Sequence, residues 1–339
     1  MKRMAFFVPF QGCGRRCVYC DQRAITGASE MDALTPDAVK SAARSCAAPV
    51  ELCFFGGSFA RIEPSLMESY LEAVSLAPEG SRVTFSSYPG DFEGAGGARI
   101  IETLKKYPIG TIELGTPSLD PLVLRVCGRD DDPVRVKGAI ATLRDAGFRI
   151  GAQIMIGLPR QTPESSMRDI ESIAALMSGR PGETWDLRIY PCLVLRGTEL
   201  ESLYRAGEYT PLGLEDAARR AGALLLAAAR LGFRAIRVGL LESASLRESV
   251  IAGPYHQSFG ELALSEKLAL ELAGASARDE PWEIDRSRIS QLTGHGGRGI
   301  RRLAELTGIP AETVRKSLTF RPEGSRGEHP LDGPGATIQ

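Results

Sequence analysis

Six short apolar runs, each followed by a longer amphipathic stretch, constrain this 339-residue chain more than any other feature of its sequence. Met4–Pro9, Glu51–Phe55, Arg82–Ser86, Thr111–Leu114, Arg149–Met155 and Leu187–Tyr190 have strand length. Between them, Pro36–Ala47, Pro64–Ala77, Ala95–Tyr107, Pro133–Ala146 and Glu164–Met177 have helical length. A β-then-α order repeated in this way predicts a parallel sheet with helices on its outer face. Six such units match a partial (β/α)6 barrel of the α/β class; an open doubly wound sheet is the competing arrangement. Thr35 before Pro36 and Thr162 before Pro163 each supply a capping hydroxyl followed by proline at the first helical position. A further helix is expected over 215–231, where Ala217, Ala218, Ala221, Leu224, Leu225 and Ala228 share a face, and a seventh strand over Ala235–Leu240.

The rhythm changes after Leu241. It divides the chain into a barrel over 1–240, a mainly helical C-terminal α/β extension or cap over 241–320, and a tail over 321–339. The tail is rich in Gly, Pro and charge and is expected to be unfolded. Within the extension, 256–273 reads as a loop entering a helix, 279–297 as a strand plus a glycine-rich turn, and 298–318 as two short helical patterns separated by Gly308 and Pro310. The longest apolar stretch, Ala221–Ala229, is far too short to span a bilayer, so no membrane crossing is expected. The basic and apolar start is broken by Pro9 and Gly12 and reads as a strand, not a secretory signal. A net charge of −1 excludes a chain-wide basic field for nucleic acid, though not a local one.

Seven cysteines form an odd set with three crowded into eight residues, which indicates a metal site in a reducing, cytoplasmic compartment and not a disulfide framework. Cys13, Cys17 and Cys20 are spaced C-x3-C-x2-C, a loop tight enough to wrap one cubane. Three thiolates hold three irons of a [4Fe-4S] cluster and leave the fourth open. The amino and carboxylate groups of S-adenosylmethionine could chelate that iron and bring its sulfonium within reach of an electron. A structural zinc site and unliganded cysteines are the alternatives, but zinc normally takes four protein ligands, and the only histidines are the distant His256, His295 and His329. Tyr19, between the last two cysteines, could pack beside adenine.

The loop QGCGRRCVYCDQ, with an aromatic before its last cysteine, resembles that of the radical S-adenosylmethionine superfamily. Within it the chain is similar to the group containing the catalytic subunit of the Elongator tRNA-modifying complex and its bacterial relatives lacking an acetyltransferase domain. The segments FFGGSFARI, ELGTPSLD, GFRIGAQIMIGLP, LRIYPCLVLRGTEL and AGPYHQSFGEL carry the likeness across successive strand ends. The resemblance implies a glycine pair, Gly56 and Gly57, whose backbone meets the cofactor's amino group, with Ser58 adding a hydroxyl. It also implies that Ser86, Ser87 and Glu113 lie about the cofactor's ribose, its carboxylate or the substrate. Glu113, in the apolar run IELG, needs partners if buried, and an internal ion pair is its other reading. Gln153 is expected to line the barrel lumen, and Gly157 and Pro159 to shape a turn towards adenine. Arg188 and Tyr190 alternate with Leu187 and Ile189 and so share a face. With Arg196 and Arg237 they could clamp a carboxylate or phosphate, or form ordinary salt bridges.

Where relatives commonly read Ser-Thr-Arg-Pro-Asp and Val-Gln-Ser, this chain has Ser86-Ser87-Tyr88-Pro89-Gly90 and Thr116-Pro117-Ser118. The charge pair and the amide are thus lost from the side expected to approach substrate. The expected activity is reductive cleavage of S-adenosylmethionine and hydrogen abstraction from a substrate, served by a small electron donor such as flavodoxin or ferredoxin. A tRNA nucleoside and a small metabolite are both open as substrate, and the oligomeric state is unassigned. The competing classes are a nucleic-acid-binding module, on the helix-turn-helix-like spacing of 298–318, and a non-catalytic scaffold relative that keeps the cluster.

Overall fold

The computed structural model describes residues 1–14, 16–27, 34–129, 132–177, 179, 183–275 and 281–321; the expected unfolded tail lies outside them from residue 322. The strands are β1 (Lys2–Val8), β2 (Val50–Gly56), β3 (Arg82–Ser87), β4 (Ile109–Gly115), β5 (Ile150–Ile156), β6 (Trp185–Pro191), β7 (Val194–Leu195), β8 (Phe233–Val238), β9 (Val250–Ala252), β10 (Trp282–Asp285) and β11 (Leu318–Arg321). The helices are α1 (Gln22–Thr26), α2 (Pro36–Arg44), α3 (Pro64–Glu72), α4 (Gly94–Leu104), α5 (Pro121–Val126), α6 (Pro133–Asp145), α7 (Pro163–Ala174), α8 (Glu199–Arg205), α9 (Leu214–Arg230), α10 (Ala244–Ser249), α11 (Phe259–Ala275), α12 (Ile289–Thr307) and α13 (Ala311–Lys316).

Seven strands form one parallel sheet in the order β1-β2-β3-β4-β5-β6-β8, so each main strand pairs with its predecessor. The sheet curls into a partial barrel with helices outside, as the alternation predicts. Its seventh strand is β8, which begins two residues earlier than expected and closes the β6 edge. Side chains alternate across the sheet. Leu52, Phe54, Phe85, Ile112, Leu114, Leu187 and Ile189 point outward into the core beneath the helices. Between them, Glu113 and Arg188 meet on the concave side. The outward layer includes a stack of Phe54, Phe59, Tyr70 and Phe85, with ring centroids 4.7–5.4 Å apart between successive partners. Thr35 Oγ1 caps α2 and Thr162 forms a capping box at α7, as their sequences indicate.

Beyond β8 the expectations need correction in two places. The residues between the expected strand and its glycine-rich turn are helical from Ile289, whereas Gly294–Gly297 leave helical geometry and form the turn itself. The second helix of the supposed helix-turn-helix, α13, has six residues, about 9 Å at 1.5 Å per residue, and buries Val314; it is too short to read a groove. α11 joins two apolar regions. Phe259 and Ala263 belong to the main core, whereas Leu268 and Leu272 pack with Trp282, Ile284, Leu292, Ile300 and Leu303 in a second one. Buried Glu266 and Glu271 on α11 are met by Arg302 and by Arg288 with Lys267. Among the described residues no helix is long and apolar enough to cross a membrane.

Candidate active site

The cysteine loop leaves the C-terminal end of β1 and is tied down on several sides. Gln11 N donates back to Val8 O at 3.2 Å, Gly57 N to the same carbonyl at 2.9 Å, and Ser58 N to Gln11 O at 2.7 Å. Val18 N donates to Cys127 O and Leu200 N to Val18 O, which fixes the loop's far side to the ends of α5 and α8. Asp21 then caps α1, accepting from Arg23 N and Ala24 N. Gln22, the first residue of that helix, accepts from Phe10 N and turns its amide to Cys13 Sγ at 3.7 Å. Arg129 Nη1 stands 3.7 Å from Cys17 Sγ, and its Nη2 is fixed by Gly115 O at 2.9 Å. Sequence reading assigned a role to neither: Gln22 ends the loop QGCGRRCVYCDQ with no part given to it, and Arg129 is brought to sulfur only by the fold.

All three thiols are free and half-buried. Burial, first, and the neighbouring Cys17 push the Cys20 thiol up to about 12, and burial likewise raises Cys13, so an ion or cluster would have to displace protons there. Among the described residues no three His, Cys, Asp or Glu side chains converge closely enough for a single metal ion. A cubane, by contrast, spreads its thiolates over separate irons, and three cysteines around one tight loop fit that donor set.

Gly57 shows why the second strand ends in two glycines. A Cβ there would lie 2.0 Å from Gln11 O and 2.7 Å from Val8 O, so any side chain would push the cysteine loop off β2. The amides of Gly57 and Ser58 are spent on that loop, which leaves carbonyl oxygens, the groups an ammonium needs, as what this turn can offer a ligand.

The loop opens on a cavity of about 730 Å3, within the range of small-molecule sites. It is lined by Cys13, Cys17, Tyr19, Cys20, Gly56, Gly57, Ser58, Ser86, Ser87, Gln153, Arg188, Tyr190 and Arg237. The strand ends thus gather most of the residues singled out in the sequence. Four stand elsewhere, one of them Pro159, which is buried outside the lining. Gly157 lies in the wall behind, where Tyr209 donates to its carbonyl at 2.6 Å. Arg196 is exposed outside the cavity. Glu113, 1% exposed, sits beneath the floor in the ion pair that was its alternative reading. Its carboxylate accepts from Arg188 Nε and Nη2 at 2.5 and 2.7 Å, from Gln153 Nε2 at 2.9 Å and from Arg3 Nη2 at 3.3 Å. Burial alone would raise the Glu113 carboxyl, but the Arg188 guanidinium and these hydrogen bonds outweigh it and hold the group below its ordinary range.

Asp91, which sequence reading also missed, lines the same cavity. Ser58 Oγ donates to its Oδ2, and Tyr88 N donates to Ser58 Oγ at 2.8 Å. Among the described residues its Oδ1 is buried without a hydrogen-bond partner, and Arg61 Nη1 stands 4.0 Å away. Burial pushes this carboxyl up to about 6, against the lowering effects of Ser58 and Arg61. On the other side of Tyr88, the Arg129 guanidinium stacks 5.0 Å from the ring centroid. An acid and a base therefore flank the segment whose charge pair the sequence lacks.

A sequence model described as the Radical SAM superfamily matches residues 7–173, and one described as the Radical_SAM C-terminal domain matches 185–269. The chain belongs to the radical SAM superfamily. It is accordingly an enzyme of that family. It is 29% identical over 117 residues to the tRNA uridine(34) acetyltransferase of Methanocaldococcus infernus, a match covering 34% of this chain and 21% of that protein. It is 33% identical over 109 residues to Elongator complex protein 3 of Saccharomyces cerevisiae, covering 32% and 19%. The chain thus matches about a fifth of the length of these relatives. In fold it is similar to archaeal Methanocaldococcus infernus Elp3 with an N-terminal deletion, with a TM-score of 0.56 at 19% identity over 85% of this chain and 67% of that one.

Proposed function

We propose that Cys13, Cys17 and Cys20 hold a [4Fe-4S] cluster by three of its irons, with S-adenosylmethionine chelating the fourth. A cluster held there and reduced by a carrier such as flavodoxin or ferredoxin would supply the one-electron reduction that cleaves S-adenosylmethionine to methionine and a 5′-deoxyadenosyl radical able to abstract hydrogen from substrate. The protein's own groups bind and position. Gln22 and Arg129 direct N–H donors towards the sulfurs of Cys13 and Cys17, which tunes the centre through its outer partners. Asp91 Oδ1 and the carbonyls of Gly56 and Gly57 accept from the cofactor's ammonium, and Ser58 holds Asp91 in place. Glu113, Gln153 and Arg3 fix the Arg188 fork, so that Arg188 and Tyr190 present a preorganised donor pair to a carboxylate or to substrate.

One observation carries this reading: three cysteines of one short loop open on the same cavity as an orphaned, buried carboxylate oxygen. Protein reconstituted anaerobically with iron and sulfide, then given dithionite and S-adenosylmethionine, should form 5′-deoxyadenosine, and Cys17→Ala should form none. Equal yields from the two proteins would sink the assignment.

The substrate is the finer question. The names of the relatives favour a tRNA nucleoside, and Arg16 and Arg61 in the cavity lining suit an anionic chain. Unmodified tRNA should then raise the yield of 5′-deoxyadenosine several-fold. Stimulation by a metabolite extract freed of RNA, and not by tRNA, would support a small metabolite instead.

A further inference from the structure

Far along the chain, two helices meet through a break that the cavity does not explain. α12 leaves helical geometry at Gly294-His295-Gly296-Gly297. Gly294 is extended, and the next three residues take φ of 49, 70 and 81 in succession. The first helical piece follows β10 and the second leads through α13 to β11, which pairs parallel with β10. Leu292, Ile300, Leu303 and Val314 close over Trp282 and Ile284, so these elements share one core. Strand, helix, Gly-x-x-Gly, helix and strand is the order of KH modules, in which that turn clamps the backbone of single-stranded nucleic acid. Here α13 is an insertion before the second strand.

Charge separates in the same place. Residues 286–318 contain seven arginines and lysines against two glutamates, in a chain of net charge −1. Several of the seven are committed: Arg288 to Glu271, Arg298 to Glu215, Arg302 to Glu266 and Lys316 to Glu312. Arg301 and Arg315 have no carboxylate partner among the described residues, and both stand at the turn. Arg301 Nη1 donates to Gly296 O. A Cβ built at Gly297 would meet Arg315 Nη2, at 3.6 Å, and Arg301 Nη1, at 4.0 Å, so the two guanidiniums cover the buried Gly297, while His295 and Gly296 are exposed. The acidic side chain recorded there, Glu261, is engaged by His295 Nε2 at 2.9 Å. Successive turn amides and two uncompensated arginines are what a phosphodiester needs.

We propose that residues 282–321 form a KH-like site for the sugar–phosphate backbone of single-stranded nucleic acid, with the Gly294–Gly297 turn, Arg301 and Arg315 as its phosphate clamp. The site is separate from the cavity and does not rest on the radical reading.

The test uses the full chain and fluorescein-labelled 12-nucleotide strands of one sequence as RNA, as DNA and as duplex DNA, read by anisotropy against salt. Single strands should bind at least about tenfold more tightly than duplex, and the RNA and DNA arms identify which of them the site prefers. Arg301→Ala/Arg315→Ala should weaken binding about tenfold or more and reduce the slope of log K against log salt by about 1.4, at roughly 0.7 per phosphate contact. It should melt as the parent does and keep its yield of 5′-deoxyadenosine. Should that variant fail to fold, Arg315→Ala alone, on the exposed side of the short α13, must give about half the slope change. Failure of the parent to bind any single strand, equal affinity for duplex, or unchanged binding by a folded variant would each overturn the proposal.

Discussion

Asp91 keeps a buried carboxylate whose Oδ1 has no hydrogen-bond partner among the described residues, and that has a measurable cost. Its carboxyl sits at about 6 in the folded protein against 3.8 for the free side chain, so folding disfavours the ionised form. The sign follows from linkage: stability is full below the unfolded value and falls as pH rises through the folded one, by about 3 kcal/mol at pH 7 or above. Asp91→Asn should therefore raise the midpoint of thermal unfolding of the cluster-free protein at pH 7.5, with the gain fading towards pH 4, while weakening retention of S-adenosylmethionine. Identical melting curves at both pH values would remove the argument. Glu113 behaves oppositely. Held below its ordinary range by Arg188, it contributes stability above the unfolded value that is lost as pH falls through the lowered folded one. Glu113→Gln should cost about 3 kcal/mol in urea unfolding at pH 7, since Arg188 is left buried and unpaired, and less in acid. At this scale the cysteines stood out in sequence by their spacing and Gly57 by the family resemblance, while the close approach that the structure shows at Gly57 is to Gln11 and Val8. Asp91 did not stand out: in Tyr-Pro-Gly-Asp it reads as a turn residue, one position beyond where related sequences carry an acid.

The glycines separate two roles that sequence alone cannot tell apart. Gly57 has no room for a Cβ because the cysteine loop crosses it, whereas Gly138, inside α6 and exposed, has nothing within 4 Å. Gly57→Ala should lower stability by about 2 kcal/mol or more and reduce the iron retained after reconstitution; Gly138→Ala should raise stability by about 0.5–1 kcal/mol through helix propensity alone. Paired denaturant titrations compare them directly, and matching shifts for the two variants would refute the contact argument. Elements of the barrel were legible because the strands' outward side chains are apolar and some helices announce their start, as Thr35 does at α2 and Thr162 at α7. The stretch from Arg286 was harder to read. Its helix is broken by Gly294–Gly297, so the glycines signal a turn while the helical residues on either side depend on a core shared with Trp282 and Val314, which are distant in sequence.

For the molecule as a whole, the main core and the candidate site occupy opposite faces of the sheet. The main core fills the space between the strands and the outer helices, whereas the cysteine loop packs with a small separate cluster in which Val18, Cys127, Cys192 and Tyr209 are buried. Each main strand also pairs with the one before it, so the barrel assembles from local crossovers that need nothing from the loop. Removing the proposed cluster should therefore spare the fold. Cys13→Ala/Cys17→Ala/Cys20→Ala, or protein stripped by a chelator, should keep its far-ultraviolet circular dichroism and a single cooperative melt, while losing iron and becoming susceptible to proteolysis within 9–27. S-adenosylmethionine at a hundredfold excess over its dissociation constant should add about 2.7 kcal/mol to reconstituted protein and almost nothing to the triple variant, because linkage requires a site present only in the loaded, folded state. A triple variant without a cooperative transition would show that the loop helps hold the sheet together, and the division between scaffold and site would have to be abandoned.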